Sequence, residues 1–166
     1  MSVVCSDFDI WRKRVYIHMM VKNEEMLDDV IGRCAAVRTL SAARTMTRLY
    51  DDALRPVGLT ITQFTLLVTI GRARPDSISS ISEWLNIDRT SLTRNIKLLE
   101  VAGYVKRGDE GQRHRRQIEL TSAGHRVLRQ AYPLWQAAQE RVEGEFSQKG
   151  FSEAKKSLRA LRTTPV

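Results

Sequence analysis

Apolar residues recur every three or four positions along most of the chain, and the period changes to alternation only once. Between 33 and 55 there is neither Gly nor Pro, and Val37, Leu40, Ala43, Tyr50 and Leu54 fall near one face. Arg38, Arg48 and Asp51 fall largely elsewhere, so the stretch predicts a long amphipathic helix. Pro56 stops it, because the residue before a proline is pushed out of the helical region, and Gly58 follows. Thr60, Ile61, Thr62 and Gln63 have the spacing of a capping box, with Phe64, Leu67, Val68 and Gly71 on one face beyond it. That helix is expected to end near Arg74, Pro75 and Asp76. Ser80 and Glu83 frame a second capping box, opening a short helix with Ile81, Trp84 and Leu85 that closes at Asn86. Asp88 caps a third helix running to Gly103, with Leu92, Ile96 and Leu99 as its apolar stripe.

After Gly103 the pattern becomes that of two short strands, 104–107 and 116–120. Gly108, Asp109 and Gly111 between them supply the turn chemistry of a hairpin tip. Helical spacing returns from 121 to 162 through Leu128, Ala131, Trp135, Ala138, Val142 and Phe146. Pro133 lies inside this run, and an interior proline predicts a bend. Gly150 is expected to break it before a last helix marked by Phe151, Ala154, Leu158 and Leu161. Residues 1–31 show no sustained helical period and read as a loosely attached extension with a short helix near 23–31. The predicted organisation is thus an extension (1–31), a first long helix (32–58), a compact lobe (59–120) and C-terminal helices (121–166). The fold class is mainly α with one small β-hairpin.

Composition sharpens this picture at one point. With 42% apolar and 28% charged residues in a chain of 166, the sequence reads as an ordinary soluble domain, large enough to bury a core without disulfides or metal. No apolar run approaches the ~18 residues of a membrane span. The first residues lack the apolar core of a signal peptide, so the expected location is the cytoplasm. The net charge of +8 is less ordinary and favours an anionic partner. Between Arg89 and Arg116 stand eight cations, Arg89, Arg94, Lys97, Lys106, Arg107, Arg113, Arg115 and Arg116, against three anions, Glu100, Asp109 and Glu110. A solvated helix face normally mixes signs, so this concentration points to nucleic acid.

Helix, short helix, tight turn, helix and basic hairpin is the order of a winged helix-turn-helix. Thr90, Thr93, Arg94 and Lys97 lie opposite the stripe Leu92, Ile96 and Leu99, which offers hydroxyls and cations to base edges and phosphates. Arg89, Thr90 and Ser91 occupy the first turn, where backbone N–H groups favour a phosphate. A winged helix that contacts a protein would carry an apolar or acidic face here instead. A basic membrane-surface helix would spread its cations along a large apolar face, not gather them at a turn-rich hairpin.

The segments "AARTMTRLYDDALRPVGLTITQFTLL", "SISEWLNIDRTSLTRNIKLLEVAGYVKR" and "LTSAGHRVL" resemble, in order and spacing, the multiple antibiotic resistance regulator (MarR) family of bacterial transcription factors. The resemblance covers about 33–146 and implies a homodimer on palindromic double-stranded DNA, usually as a repressor. It implies that the first and last helices interlock two subunits, that the third helix of the lobe enters the major groove, and that the hairpin reaches the minor groove. On that basis the DNA-binding residues are Arg89, Thr90, Ser91, Thr93, Arg94, Lys97, Arg107, Arg113, His114, Arg115 and Arg116. Arg113 matches the family's wing arginine, but Gln112 stands where the family usually has Asp. The extension 1–31 has no clear counterpart in the family.

The resemblance also implies a small aromatic or phenolic effector, and Tyr50, Phe64, Trp84, Tyr104 and Trp135 are the aromatic residues available to line its pocket. For any single one of them, core or interface packing is the favoured reading. Cys34, flanked by Arg33 and Arg38, matches the place where some family members sense oxidants; the alternative is a small buried residue. His18, His114 and His125 are scattered and form no metal motif. Phosphate loops, zinc-hydrolase and serine-hydrolase motifs are missing, so neither a cofactor nor an enzymatic activity is expected.

Overall fold

A computed structural model describes residues 6–73, 78–107 and 118–163. The chain divides into two compact units, Met1–Met46 and Thr47–Val166. The helices are α1 (Ser6–Arg33), α2 (Ala35–Leu54), α3 (Ile61–Ala73), α4 (Ile78–Leu85), α5 (Arg89–Val101), α6 (Ser122–Gly144) and α7 (Gln148–Arg162). A 3₁₀ turn, Arg55–Val57, follows α2, and two strands, β1 (Val105–Arg107) and β2 (Ile118–Leu120), lie between α5 and α6.

The first unit departs from its sequence pattern. Where a short helix near 23–31 is expected, α1 runs for 28 residues. Cys34 alone separates it from α2, and its N–H still donates to the carbonyl of Val30 at 2.9 Å. At its C-terminal end Asp29 pairs with Arg33 at 3.0 Å, and Arg38 donates to the Gly32 carbonyl at 2.8 Å. The helix lacks a clean apolar period because its described large apolar side chains are not buried, so no core selects one face.

The second unit is built around α3. Thr60 and Gln63 close the expected capping box, with Thr60 N–H to Gln63 Oε1 at 3.0 Å and Gln63 N–H to Thr60 Oγ1 at 3.2 Å. Asp51 from α2 adds a third acceptor, taking the Ile61 N–H at 2.6 Å. Leu66, Leu67 and Ile70 of α3 are buried with Leu54, Ile81, Leu92, Ile96, Leu99, Val105, Ile118 and Val127. The hairpin strands pair antiparallel, with Val105 opposite Leu120 and Lys106 opposite Glu119.

Three local expectations shift by a few residues. α4 begins at Ile78, so Ser80 lies inside the helix rather than at its cap. Gly150 lies in the first turn of α7 and donates its N–H to the Ser147 hydroxyl, which is the true cap; the break falls at Glu145–Ser147. α6 continues through Pro133, which removes only the N–H that would have reached the carbonyl of Arg129.

One close approach fixes the seat of α6. Thr121 caps it, accepting the Gly124 N–H at 3.0 Å while its own hydroxyl donates to the Gly103 carbonyl at 2.6 Å. A side chain at Gly124 would meet the Tyr104 carbonyl oxygen at 2.1 Å, so only glycine lets α6 start against β1.

Candidate nucleic-acid interface

The turn between α4 and α5 is held from both sides. Ile87 N–H donates to the Ser82 carbonyl at 3.1 Å, and the Ser82 hydroxyl donates to the Ile87 carbonyl at 2.6 Å. Asn86 takes the left-handed conformation at φ 52°, which its short polar side chain tolerates. Asp88 then caps α5, accepting the Ser91 N–H at 2.8 Å. That hydrogen bond holds the Asp88 carboxyl below the usual carboxylate range.

From Arg89 to Lys97, α5 divides into a buried apolar side and an exposed polar side, with the apolar Leu98 and Val101 exposed beyond. Leu92, Ile96 and Leu99 are buried in the core. Arg89, Thr90, Ser91, Thr93, Arg94 and Lys97 are all exposed on the turns between them. Thr93 donates to the Arg89 carbonyl at 2.8 Å and Asn95 to the Ser91 carbonyl at 2.9 Å, which orients both side chains along the helix. The arrangement presents hydroxyls and cations from one rigid element, the requirement for reading a groove.

Arg107 differs from the other candidate contacts. Its Nε donates to Glu100 Oε1 at 2.7 Å, and that hydrogen bond and charge hold its guanidinium above the ordinary arginine range. β1 is thereby tied to α5 by a charged contact, a packing role that spacing alone did not show. Lys106 lies 3.9 Å from Glu119 across the hairpin. Arg113, His114, Arg115 and Arg116 lie outside the described residues, as does the turn at Pro75.

The five aromatic candidates do not share one cavity. Phe64 and Trp135 stack at 6.1 Å between ring centroids, and Trp135 stacks on Tyr132 at 6.0 Å. Tyr50 donates to Gln139 Oε1 at 2.5 Å, and burial, then the nearby Glu143 charge, raise its pKa. Tyr104 lines a separate open groove with Pro56, Val57 and Arg126. Trp84 is 57% exposed at the end of α4, where Arg162 donates to its carbonyl oxygen. A more apolar groove of about 330 Å³ lies elsewhere, bordered by Phe64, Val68, Arg72, Leu120, Leu128 and Tyr132. Only Phe64 of the five lines it, because the others are used in packing or face away. Cys34 is half-buried, immediately before α2, and its N–H donates to the Val30 carbonyl. Among the described residues no group of three or more His, Cys, Asp or Glu side chains could hold a metal ion. Among them, too, no single helix is long and apolar enough to cross a membrane.

An apolar-backed helix with a polar, cationic front, set behind a locked turn and followed by a two-stranded hairpin, defines a winged helix-turn-helix protein. Residues 57–117 match the model of the MarR family. The transcriptional regulator MosR of M. tuberculosis is 32% identical, with a TM-score of 0.67 over 78% of this chain and 93% of that one. MosR in complex with DNA gives 32% identity and a TM-score of 0.63, covering 78% of this chain and 99% of that one. The HTH-type transcriptional regulator BilQ of Clostridioides difficile (strain CD3) is 26% identical over 69% of this chain and 79% of its own length. E. coli MarR with operator DNA shares the fold at a TM-score of 0.68, with 20% identity over 81% of this chain and 96% of that one. The chain belongs to the MarR family of DNA-binding, winged helix-turn-helix transcriptional regulators, which are not enzymes.

Proposed function

We propose that this protein binds palindromic operators in cytoplasmic DNA as a homodimer and represses transcription until a small effector releases it. The reading is carried by α5, whose exposed Arg89, Thr90, Thr93, Arg94 and Lys97 stand on a buried Leu92–Ile96–Leu99 seam. The MosR–DNA and MarR–operator complexes support DNA as the ligand of this face. The wing residues Arg113, His114, Arg115 and Arg116 add minor-groove and phosphate contacts in this reading.

The dimer is supported by apolar surface that a single chain leaves in water. α7 has no buried residue, and Leu158, Leu161 and Phe146 are exposed along with Val37 and Leu40 of α2. An isologous interface covers such faces. The effector is supported by the apolar groove beside Phe64 and Tyr132, and a MarR-family protein of M. tuberculosis is known in complex with p-aminosalicylic acid. A planar aromatic acid suits this groove, because Arg72 and His125 border its otherwise apolar wall.

Selection from random duplexes tests the DNA reading. The preferred site is expected to be an inverted repeat with half-sites ~10 bp apart or a small multiple. If ~6–10 phosphates are neutralised, affinity falls ~10³–10⁵-fold between 50 and 200 mM salt. Arg94→Ala relaxes preference at one position per half-site, while Arg113→Ala weakens binding across sequences. Binding that ignores salt and shows no repeat preference overturns the reading.

A further inference from the structure

α7 is held to the rest of its unit unevenly. Its first half packs: Phe151 and Ala154 are half-buried, the rings of Phe146 and Phe151 lie 5.8 Å apart between centroids, and Ser147 caps the helix. From Lys155 to Arg162 every residue is exposed, so burial does not fix where this half of the helix points. Leu158 and Leu161, two of the apolar residues offered to a second chain, lie in it.

At its last residue α7 meets the helix-turn-helix. Arg162 Nη2 donates to the carbonyl of Trp84 and, at 3.5 Å, to that of Glu83. Both carbonyls belong to the last turn of α4, whose oxygens have no partner within the helix. Their neighbours are met from the turn: the Ser82 carbonyl accepts the Ile87 N–H at 3.1 Å, and the Glu83 carbonyl accepts the Asn86 N–H at 3.4 Å. The Trp84 carbonyl takes a guanidinium from 78 positions along the chain. A cation suits this place, because the C-terminal end of a helix carries partial negative charge. The turn at 86–88 begins directly beyond these carbonyls, and α5 starts at its end.

We infer that Arg162 is a positioning residue for DNA binding: by holding the end of α7 against the end of α4, it fixes the angle between the apolar face of α7 and the exposed polar side of α5. If α7 joins two chains on an inverted repeat, the reading on which this rests, the contact sets how far apart and at what rotation the two α5 helices stand. It therefore sets the half-site separation that the protein accepts. One base pair more or less moves a half-site by ~3.4 Å and turns it by about 35°. A fixed pair of helices rejects that change and a loosened pair tolerates it. Arg162 itself touches no DNA in this assignment.

Titration of the full-length protein with operators whose half-site separation is one base pair longer or shorter tests this. The wild type is expected to prefer one separation by about tenfold or more, and Arg162→Ala to bind all three within about threefold, with unchanged base preference inside a half-site. Arg162→Lys keeps a cation at the Trp84 carbonyl and is expected to restore the preference. A contact that served folding alone would lower affinity for every separation alike; that result, or an unchanged profile, overturns the inference. A second measurement needs no DNA. Spin labels on Asp52→Cys and Lys156→Cys of one chain, in a Cys5→Ser and Cys34→Ser background diluted with unlabelled chains, are expected to give a narrow distance distribution that Arg162→Ala broadens. A width that Arg162→Ala leaves unchanged overturns the inference. A narrow distribution that Arg162→Ala broadens, in a protein with no preference for inverted repeats, supports the tether and overturns the operator reading instead.

Discussion

α5 and α1 both carry large apolar residues and exposed cations, yet they teach opposite lessons. In α5 the seam Leu92, Ile96 and Leu99 is buried, and the exposed side from Arg89 to Lys97 is polar and available to a ligand; the exposed apolar residues Leu98 and Val101 lie at the far end of the helix. In α1 the described large apolar residues are all exposed. A regular apolar period therefore goes with a buried seam in α5, and its absence goes with exposed apolar residues in α1. The difference for α5 lies in what its own unit supplies: α3 and α4 pack against it.

The contrast breaks most visibly in stability. Leu92→Ala removes a fully buried side chain and is expected to cost about 2–5 kcal/mol of folding free energy by urea titration. Leu27→Ala, at protein concentrations where the chain is monomeric, is expected to change it by less than about 0.5 kcal/mol. Equal losses would show that α1 is buried within its own chain.

Gly124→Ala sharpens the comparison at the base of the wing. The new methyl group meets a backbone oxygen that cannot step aside, so a cost of about 1–3 kcal/mol is expected, with loss of DNA affinity because β1 and α5 shift together. An unaffected variant would mean that α6 can slide away from Tyr104 at no cost.

Glu100→Gln probes the charged front. It frees Arg107 from its carboxylate, and the contact is exposed enough that folding stability should move by no more than about 1 kcal/mol. DNA affinity should rise slightly with a steeper salt dependence; a fall would show that the ion pair positions β1 for binding.

The smallest effect belongs to Asp88. Its folded pKa lies below the unfolded value, so its capping stabilisation is present above the ordinary carboxylate pKa and is lost as pH falls through the depressed one. Comparing urea midpoints of the wild type and Asp88→Asn at neutral and acid pH isolates this term. A pH dependence identical in both would remove Asp88 as its source.

The elements that sequence patterns predict well are those held by contacts three or four residues apart. The Thr60–Gln63 box, the Asp88 cap on Ser91, and the split of α5 between Leu92–Ile96–Leu99 and Thr93–Arg94–Lys97 all follow from helical spacing. Ser80 and Gly150 misled for a reason of the same kind. A capping serine or a breaking glycine marks a helix start only to within a turn, and Ile78 and Ser147 took the boundary instead. The family blocks were legible too, because they record the whole lobe at once.

What no local pattern carries is the meeting of distant segments. The Phe64–Trp135 stack and the Tyr50–Gln139 bond join α2, α3 and α6 across most of the second unit, and they divide the aromatic residues between packing and groove. Arg162 reaches the carbonyl of Trp84, 78 positions back along the chain, and Gly124 is required by an oxygen on Tyr104. A hydrogen bond or a clash depends on separation in space, and residue identity states only that such a contact is available. The sequence by itself determined which helix faces water with cations and which residues make its seam. Tertiary structure alone decided which apolar faces are already covered, because burial is a property of the packed chain and not of any stretch within it.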